Sequence, residues 1–416
     1  MTTATPGPDP LPLYTRLTAA GPVHRARRPD GTILWLVTRS AEARAALADP
    51  RLQMRPPKPD GPEPETPGGV ADRYLFPYRD HLAVSDPPDH TLLRRLVSTA
   101  FTPRRVEALR PRIQEITDGL LEGFAERGHA ELVQELALPL PMAVIGELLG
   151  IPAEHRVEFR DWADTIVGAA PGQDPASQGG QQAALSHLYD FLADLIAAKR
   201  RRPGADLLSA LTEAAENDAV LTDSQLLSTA FLLLVAGYET VAGLIGNSVL
   251  ALLGAPDQLA SLRADPALLP AAVDELLRHC GPVDKANTRY AVAATRIGAA
   301  SIQPGDQVQV VLTAVNRDPR SFTEPGELDL LRTDGSHHLA FGHGIHYCLG
   351  ARLAKAEAEI AIGSLLARFS DLELTEPADE LPWRSTPLLR DVRRLPVRFS
   401  PLPTRSRGTS PGGDHA

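Results

Sequence analysis

Cysteine is nearly absent: the 416-residue chain holds only Cys280 and Cys348, far apart in the sequence. So sparse a count excludes a disulfide framework, fits a reducing cytoplasm, and leaves a single thiol free for chemistry. Aromatic residues make up only 5%, so a core must be built from Leu, Ala and Val. Lysine is scarce too: Lys58, Lys199, Lys285 and Lys355 are the four, which leaves 38 of the 42 basic residues as Arg. The net charge of −10 argues against a nucleic-acid partner, since no basic balance attracts phosphate. Met1 to Leu13 lacks a basic stretch followed by an apolar run, which predicts neither a signal peptide nor an N-terminal anchor.

Long apolar runs are likewise rare. Leu226 to Leu253 is the exception and is long enough to cross a bilayer. Glu239, Thr240 and Asn247 interrupt it, and a carboxylate at mid-bilayer costs about 2.5–3.5 kcal/mol even on a lenient scale. The run therefore reads as the central buried helix of a soluble, cytoplasmic protein with no membrane association.

Helical spacing of apolar residues recurs over Arg104 to Arg127, Pro141 to Leu149, Gln182 to Arg200, Leu207 to Ala215 and Asp223 to Leu253, with Asp223 as expected N-cap. Short strand patterns lie at Ile33 to Val37, Ala291 to Ile302, Gln307 to Thr313 and Leu395 to Phe399, with a turn at Pro304-Gly305-Asp306. Arg55 to Val70, Ala169 to Gln181 and Leu402 to Ala416 read as loop or tail. The expectation is a mainly α protein with a minor β-sheet. It forms a single domain over 1–401, with 1–12 flexible and 402–416 a disordered tail.

The densest motif is Phe341-Gly342-His343-Gly344-Ile345-His346-Tyr347-Cys348-Leu349-Gly350, which runs into a helical pattern from Ala351. Gly342, Gly344 and Gly350 allow tight turns and close approach to a flat ligand. A helix N-terminus just after Cys348 would favour its thiolate. Chemistry alone leaves four readings: a buried structural cysteine, a zinc site using His337, His338, His343 or His346, a Cys–His hydrolase, and a thiolate ligand to haem iron.

The loop resembles that of the cytochrome P450 family, Phe-x-x-Gly-x-His/Arg-x-Cys-x-Gly, at Phe341, Gly344, His346, Cys348 and Gly350. The resemblance extends over roughly residues 80 to 400. It implies a prism-like helical domain with haem b buried between the long central helix and the cysteine-loop helix, and Cys348 as iron ligand. Ala236-Gly237-Tyr238-Glu239-Thr240 resembles the family's oxygen-activation motif. An acid beside an alcohol in a dry helix can relay protons, whereas a helical Thr otherwise bonds back to its own carbonyl. By resemblance Thr240 and Glu239 are catalytic, while Ala236 and Gly237 let the helix bend over the cofactor. His90, Arg94 and Arg289 are implied to bind haem propionates with His346, and Phe341, Gly342 and Gly350 to line the cofactor.

Glu275 and Arg278 lie at i, i+3 and match a family pair whose third partner is not evident from sequence, although Arg332 is near. The implied activity is monooxygenation of a small organic substrate by hydroxylation or epoxidation, as a tailoring step in secondary metabolism. Electrons would come from a separate ferredoxin and ferredoxin reductase. Arg94, Arg95, Arg104, Arg105, Arg352 and Lys355 would form the docking face. Alternatives are a peroxide-driven enzyme or a non-oxygenating haem-thiolate relative; the Glu239-Thr240 pair argues against both. Substrate contacts implied by the resemblance are Tyr74, Leu75, Phe76, Phe231, Leu234, Val235, Val283, Lys285, Asn287 and Leu388, with Lys285 or Asn287 meeting a polar or anionic group.

Overall fold

The longest apolar run folds as one uninterrupted helix, Asp223–Leu253, and most of its residues are buried. It alone among the described residues is long and apolar enough to cross a membrane, and it serves instead as the core helix. Its N-cap is Thr222, one residue earlier than the sequence implies. The Gln225 amide donates to Thr222 Oγ1 at 3.1 Å, and the Thr222 amide donates to Gln225 Oε1 at 2.9 Å. This reciprocal capping box outcompetes Asp223, which stands in the first turn.

The computed structural model describes residues 9–28, 31–57, 80–155, 158–159, 161–162, 165–166, 175–218, 221–386 and 388–402. Around the central helix pack Pro103–Ala125, Pro139–Leu149, Pro175–Arg201, Leu207–Asp218, Leu269–Cys280 and Ala351–Arg368. Their apolar faces form one large core, including Leu121, Phe124, Leu188, Leu276 and Leu365. Pro175–Arg201 starts earlier than expected, so residues 175–181 of the supposed loop are helical. Leu11–Ala20 is also a helix, so Leu11 and Pro12, expected to be flexible, are helical; residues 1–8 and 403–416 lie outside the described residues.

A second, smaller core sits under a five-stranded sheet. Its order is Val23–Arg27, Ile33–Val37, Gln307–Val310, Arg289–Ala291, Leu52–Gln53. Ile33–Val37 and Gln307–Val310 run parallel and the other neighbours antiparallel. The strand pattern over 291–302, expected to be broken by turns, forms Arg289–Ala291, Thr295–Ile297 and Ala300–Ile302. Gly305 has φ +89°, as its turn requires. After Val310 the chain turns into the short helix Leu312–Val315 rather than continuing as strand. A separate hairpin, Trp383–Ser385 with Arg390–Val392, pairs Arg384 opposite Asp391 and packs on the central helix.

Glu275 and Arg278 are buried in Leu269–Cys280 and joined by two hydrogen bonds, 2.6 and 2.7 Å. Arg332 supplies the third member, with Nε 3.1 Å from the Glu275 carboxylate. Arg278 also donates to the carbonyls of Asn316, Pro325 and Glu327. The network thus ties the helix to the chain that leads into the cysteine loop.

Candidate active site

The cysteine loop lies between the two cores and is shaped by two glycines. Gly342 (φ +73°) and Gly344 (φ +75°) both occupy the left-handed region. A Cβ on Gly344 would fall 2.7 Å from the Leu47 carbonyl oxygen, so the loop also needs glycine there to rest on helix Ser40–Ala48. Gly350 differs: its φ is −83° and it opens the helix Ala351–Arg368. The Cys348 amide donates to the Phe341 carbonyl at 2.9 Å, closing the loop and setting the sulfur at the helix start.

Cys348 is crowded by the loop yet keeps an exposed side. Burial pushes its thiol up, while the Gly350 and Ala351 amides and the Arg94 charge pull the other way. These are the groups that would favour a thiolate or stabilise its bonding to a metal. Cys280, by contrast, hydrogen-bonds the Leu276 carbonyl at 3.2 Å, and burial pushes it up to about 12; it is a structural thiol. Among the described residues no three His, Cys, Asp or Glu side chains come together as a metal-binding group, so the zinc reading has no ligand set. His338 is held by Asp274 and by the Ala340 amide.

Four basic side chains meet beside the loop from different elements. His90 and Arg94 come from helix Asp89–Ser98, Arg289 from the sheet, and His346 from the loop. The His90 and His346 rings lie 4.3 Å apart between centroids. Burial, then the charges of Arg289, His90 and Arg94, hold His346 down to about 3. His90 is depressed likewise, by burial first and by Arg94. His90 Nε2, His346 Nε2 and Arg289 Nε are buried without a hydrogen-bond partner. Such a set is costly unless it meets an anion. An exposed cysteine at a helix start beside orphaned buried donors fits a flat, dianionic cofactor such as haem.

On the central helix, Ala236 is exposed and Thr240 half-buried on the same face. Thr240 Oγ1 donates to the Ala236 carbonyl at 2.8 Å. The helix is continuous through Gly237, whose missing Cβ makes room for Ile145 (3.1 Å to Cδ1). Glu239 is buried, with Oε1 3.1 Å from Arg384 Nη1. Arg384 and its partner Asp391 were not legible as site residues, because nothing in a short strand pattern announces a cross-strand ion pair.

The remaining expected contacts divide. Tyr74, Leu75 and Phe76 lie outside the described residues. Phe231 and Leu234 are buried in the large core, Leu234 completely. Val235 and Val283 are half-buried, and Leu388 is exposed at the tip of the hairpin. Lys285 is not free to meet an anion: its Nζ lies 2.5 Å from Asp284 and faces the Tyr14 ring. Tyr14 hydrogen-bonds the same carboxylate at 2.6 Å, so this cluster anchors the N-terminal helix. Asn287 Nδ2 donates to the Ala83 carbonyl at 3.3 Å.

The profile described as Cytochrome P450 matches residues 181–390. The cytochrome P450 monooxygenase PikC of Streptomyces venezuelae is 46% identical over 394 residues, 94% of this chain and 91% of that protein. The chain belongs to the cytochrome P450 family. The 6-deoxyerythronolide B hydroxylase of Saccharopolyspora erythraea is 42% identical over 93% of this chain and 95% of its own length. The crystal structure of myxobacterial P450 CYP267B1 in complex with myristic acid superposes with a TM-score of 0.85 at 38% identity, covering 94% of this chain and 96% of that one. This P450 therefore has the family fold, binds haem b, and is a haem-thiolate monooxygenase, an oxidoreductase.

Proposed function

We propose that Cys348 ligates the haem iron, that His90, Arg94, Arg289 and His346 bind its propionates, and that residues 1–401 act as one catalytic unit. The observation that carries this reading is the set of orphaned buried donors beside an exposed cysteine at a helix start. Thiolate-bound haem supplies oxygen activation, because the sulfur pushes electron density toward iron. The chain's own part is positioning and proton handling. Phe341, Gly342 and Gly350 shape the loop against the cofactor. Ala236 and Gly237 form the small-residue face of the central helix. The Thr240 hydroxyl donates to the Ala236 carbonyl and keeps a lone pair free to accept a hydrogen bond beside the site that the cofactor would occupy. Glu239 is the nearest buried acid along the helix and carries the proton inward.

The substrate is a small organic molecule of secondary metabolism, hydroxylated or epoxidised. Val235, Val283 and Leu388 form the apolar wall, with Asn287 as its polar point. The relative named 6-deoxyerythronolide B hydroxylase favours this class. Electrons come from a cytoplasmic ferredoxin and its reductase. The docking face is assigned to Arg95, Arg104, Arg105 and Arg352, all exposed, with the exposed Ile345 and Tyr347 of the cysteine loop. A basic, partly apolar face on a protein of net charge −10 steers an acidic carrier.

Turnover of a natural-product substrate with ferredoxin, reductase and 18O2 tests the reading. One labelled oxygen per product is expected, with Thr240→Ala diverting reductant to peroxide. Product oxygen drawn from water, or unchanged coupling in Thr240→Ala, contradicts it.

A further inference from the structure

Glu239 and Thr240 are neighbours in sequence but are held by different elements. Thr240 bonds to its own helix. Glu239 shares a helix face with Gly243, Gly246 and Asn247, spaced at four, seven and eight residues, and that face is the seat of the Trp383–Ser385/Arg390–Val392 hairpin. A Cβ on Gly243 would fall 2.8 Å from Pro282 Cβ and 3.0 Å from Asp391 Cβ. Asn247 accepts from the Val392 amide at 3.0 Å and donates to the Arg390 carbonyl at 3.1 Å. The hairpin is therefore locked to the helix about two turns beyond the acid.

Arg384 joins the two. Its Nη1 lies 3.1 Å from Glu239 Oε1. The same guanidinium grips Asp391 through Nε to Oδ1 at 2.9 Å and Nη2 to Oδ2 at 2.8 Å. Side-chain exposures are 2% for Glu239, 13% for Arg384 and 9% for Asp391, so two carboxylates compete for one cation largely away from water. Breaking such a cluster leaves an uncompensated buried charge. Among the described residues the other charge acting on Asp391 is Arg393, exposed just past the strand and screened by solvent.

We propose that Arg384 is a positioning residue for Glu239, and that Asp391 sets how firmly it holds by occupying the rest of the guanidinium. The proposal rests on Glu239 as the proton route. A buried carboxylate that loses its cation gives up its proton at higher pH. One that gains an undivided cation does so at lower pH.

The test uses the reconstituted holoenzyme and the variants E239Q, R384Q, R384K and D391N. The pH limb of product formation that disappears in E239Q should move up in R384Q by about one to three pH units. It should move down in D391N and return part-way in R384K. In chemical denaturation, E239Q and R384Q should be non-additive when combined, a readout independent of turnover. Where R384Q does not fold, D391N carries the test. A limb that stays put in R384Q and D391N, or an additive double variant, overturns the proposal and leaves the proton route standing. An E239Q enzyme with unchanged pH profile and coupling overturns the proton route itself, and the proposal with it.

Discussion

Removing the Glu275 carboxylate would strand two guanidiniums, Arg278 and Arg332, in a region where their side chains are 0% and 6% exposed. Glu275→Ala is expected to destabilise the fold by about 3–5 kcal/mol, the usual cost of leaving a buried charge unpaired. Equilibrium denaturation measures it, and a loss below about 1 kcal/mol would show the network to be solvated. A neighbour in the same region responds to pH. His279 is held down to about 3 by burial and then by Arg317, Arg278 and Arg332, against an ordinary value of 6.5. The unfolded chain therefore binds a proton that the folded one refuses. Stability from the neutral ring is complete above about pH 6.5 and is lost as pH falls toward 3. His279→Gln should flatten the fall of stability between those limits by at most about 1.4 kcal/mol per pH unit. An unchanged slope would mean that His279 is protonated in the fold.

Among the elements, the cysteine loop shows most directly how backbone conformation fixes a site. Gly344→Ala places a Cβ at positive φ and against the Leu47 carbonyl. The strain alone is about 1–3 kcal/mol, and the loop must also lift from helix Ser40–Ala48. Lower haem retention and a lower denaturation midpoint are expected; wild-type values for both would contradict the geometry. Gly342 and Gly344 of this loop were legible in the sequence because a left-handed turn restricts residue choice, whereas Cys348 stood out only through the resemblance of the whole loop. The long helix was legible because its burial demands an apolar run. Less could be read where contacts are distant in sequence. Arg332 completes the Glu275–Arg278 pair across a loop, and Arg384 reaches Glu239 from a strand far along the chain. Lys285 looked available to a ligand only because Tyr14, which shares its Asp284 partner, is remote in sequence. No local pattern carries such pairings. Gly237 shows a further limit: a helical glycine can serve a kink or a close neighbour, and here Ile145 takes the space.

On the scale of the molecule, charge and packing have separate tasks. The chain carries a net charge of −10, with Arg95, Arg104, Arg105 and Arg352 exposed, while the large helical core and the sheet core bring His90, Arg94, Arg289 and His346 together from three elements. The unmet donors of His90, His346 and Arg289 and the exposed sulfur are the groups that the proposed haem site would use. The most direct measurement is the absorption spectrum of the reduced, carbon monoxide-treated holoprotein. Cys348 as thiolate ligand predicts the strongly red-shifted Soret band of thiolate-bound haem, lost in Cys348→Ala. A colourless purified protein, an unshifted band, or a band that survives Cys348→Ala would contradict it.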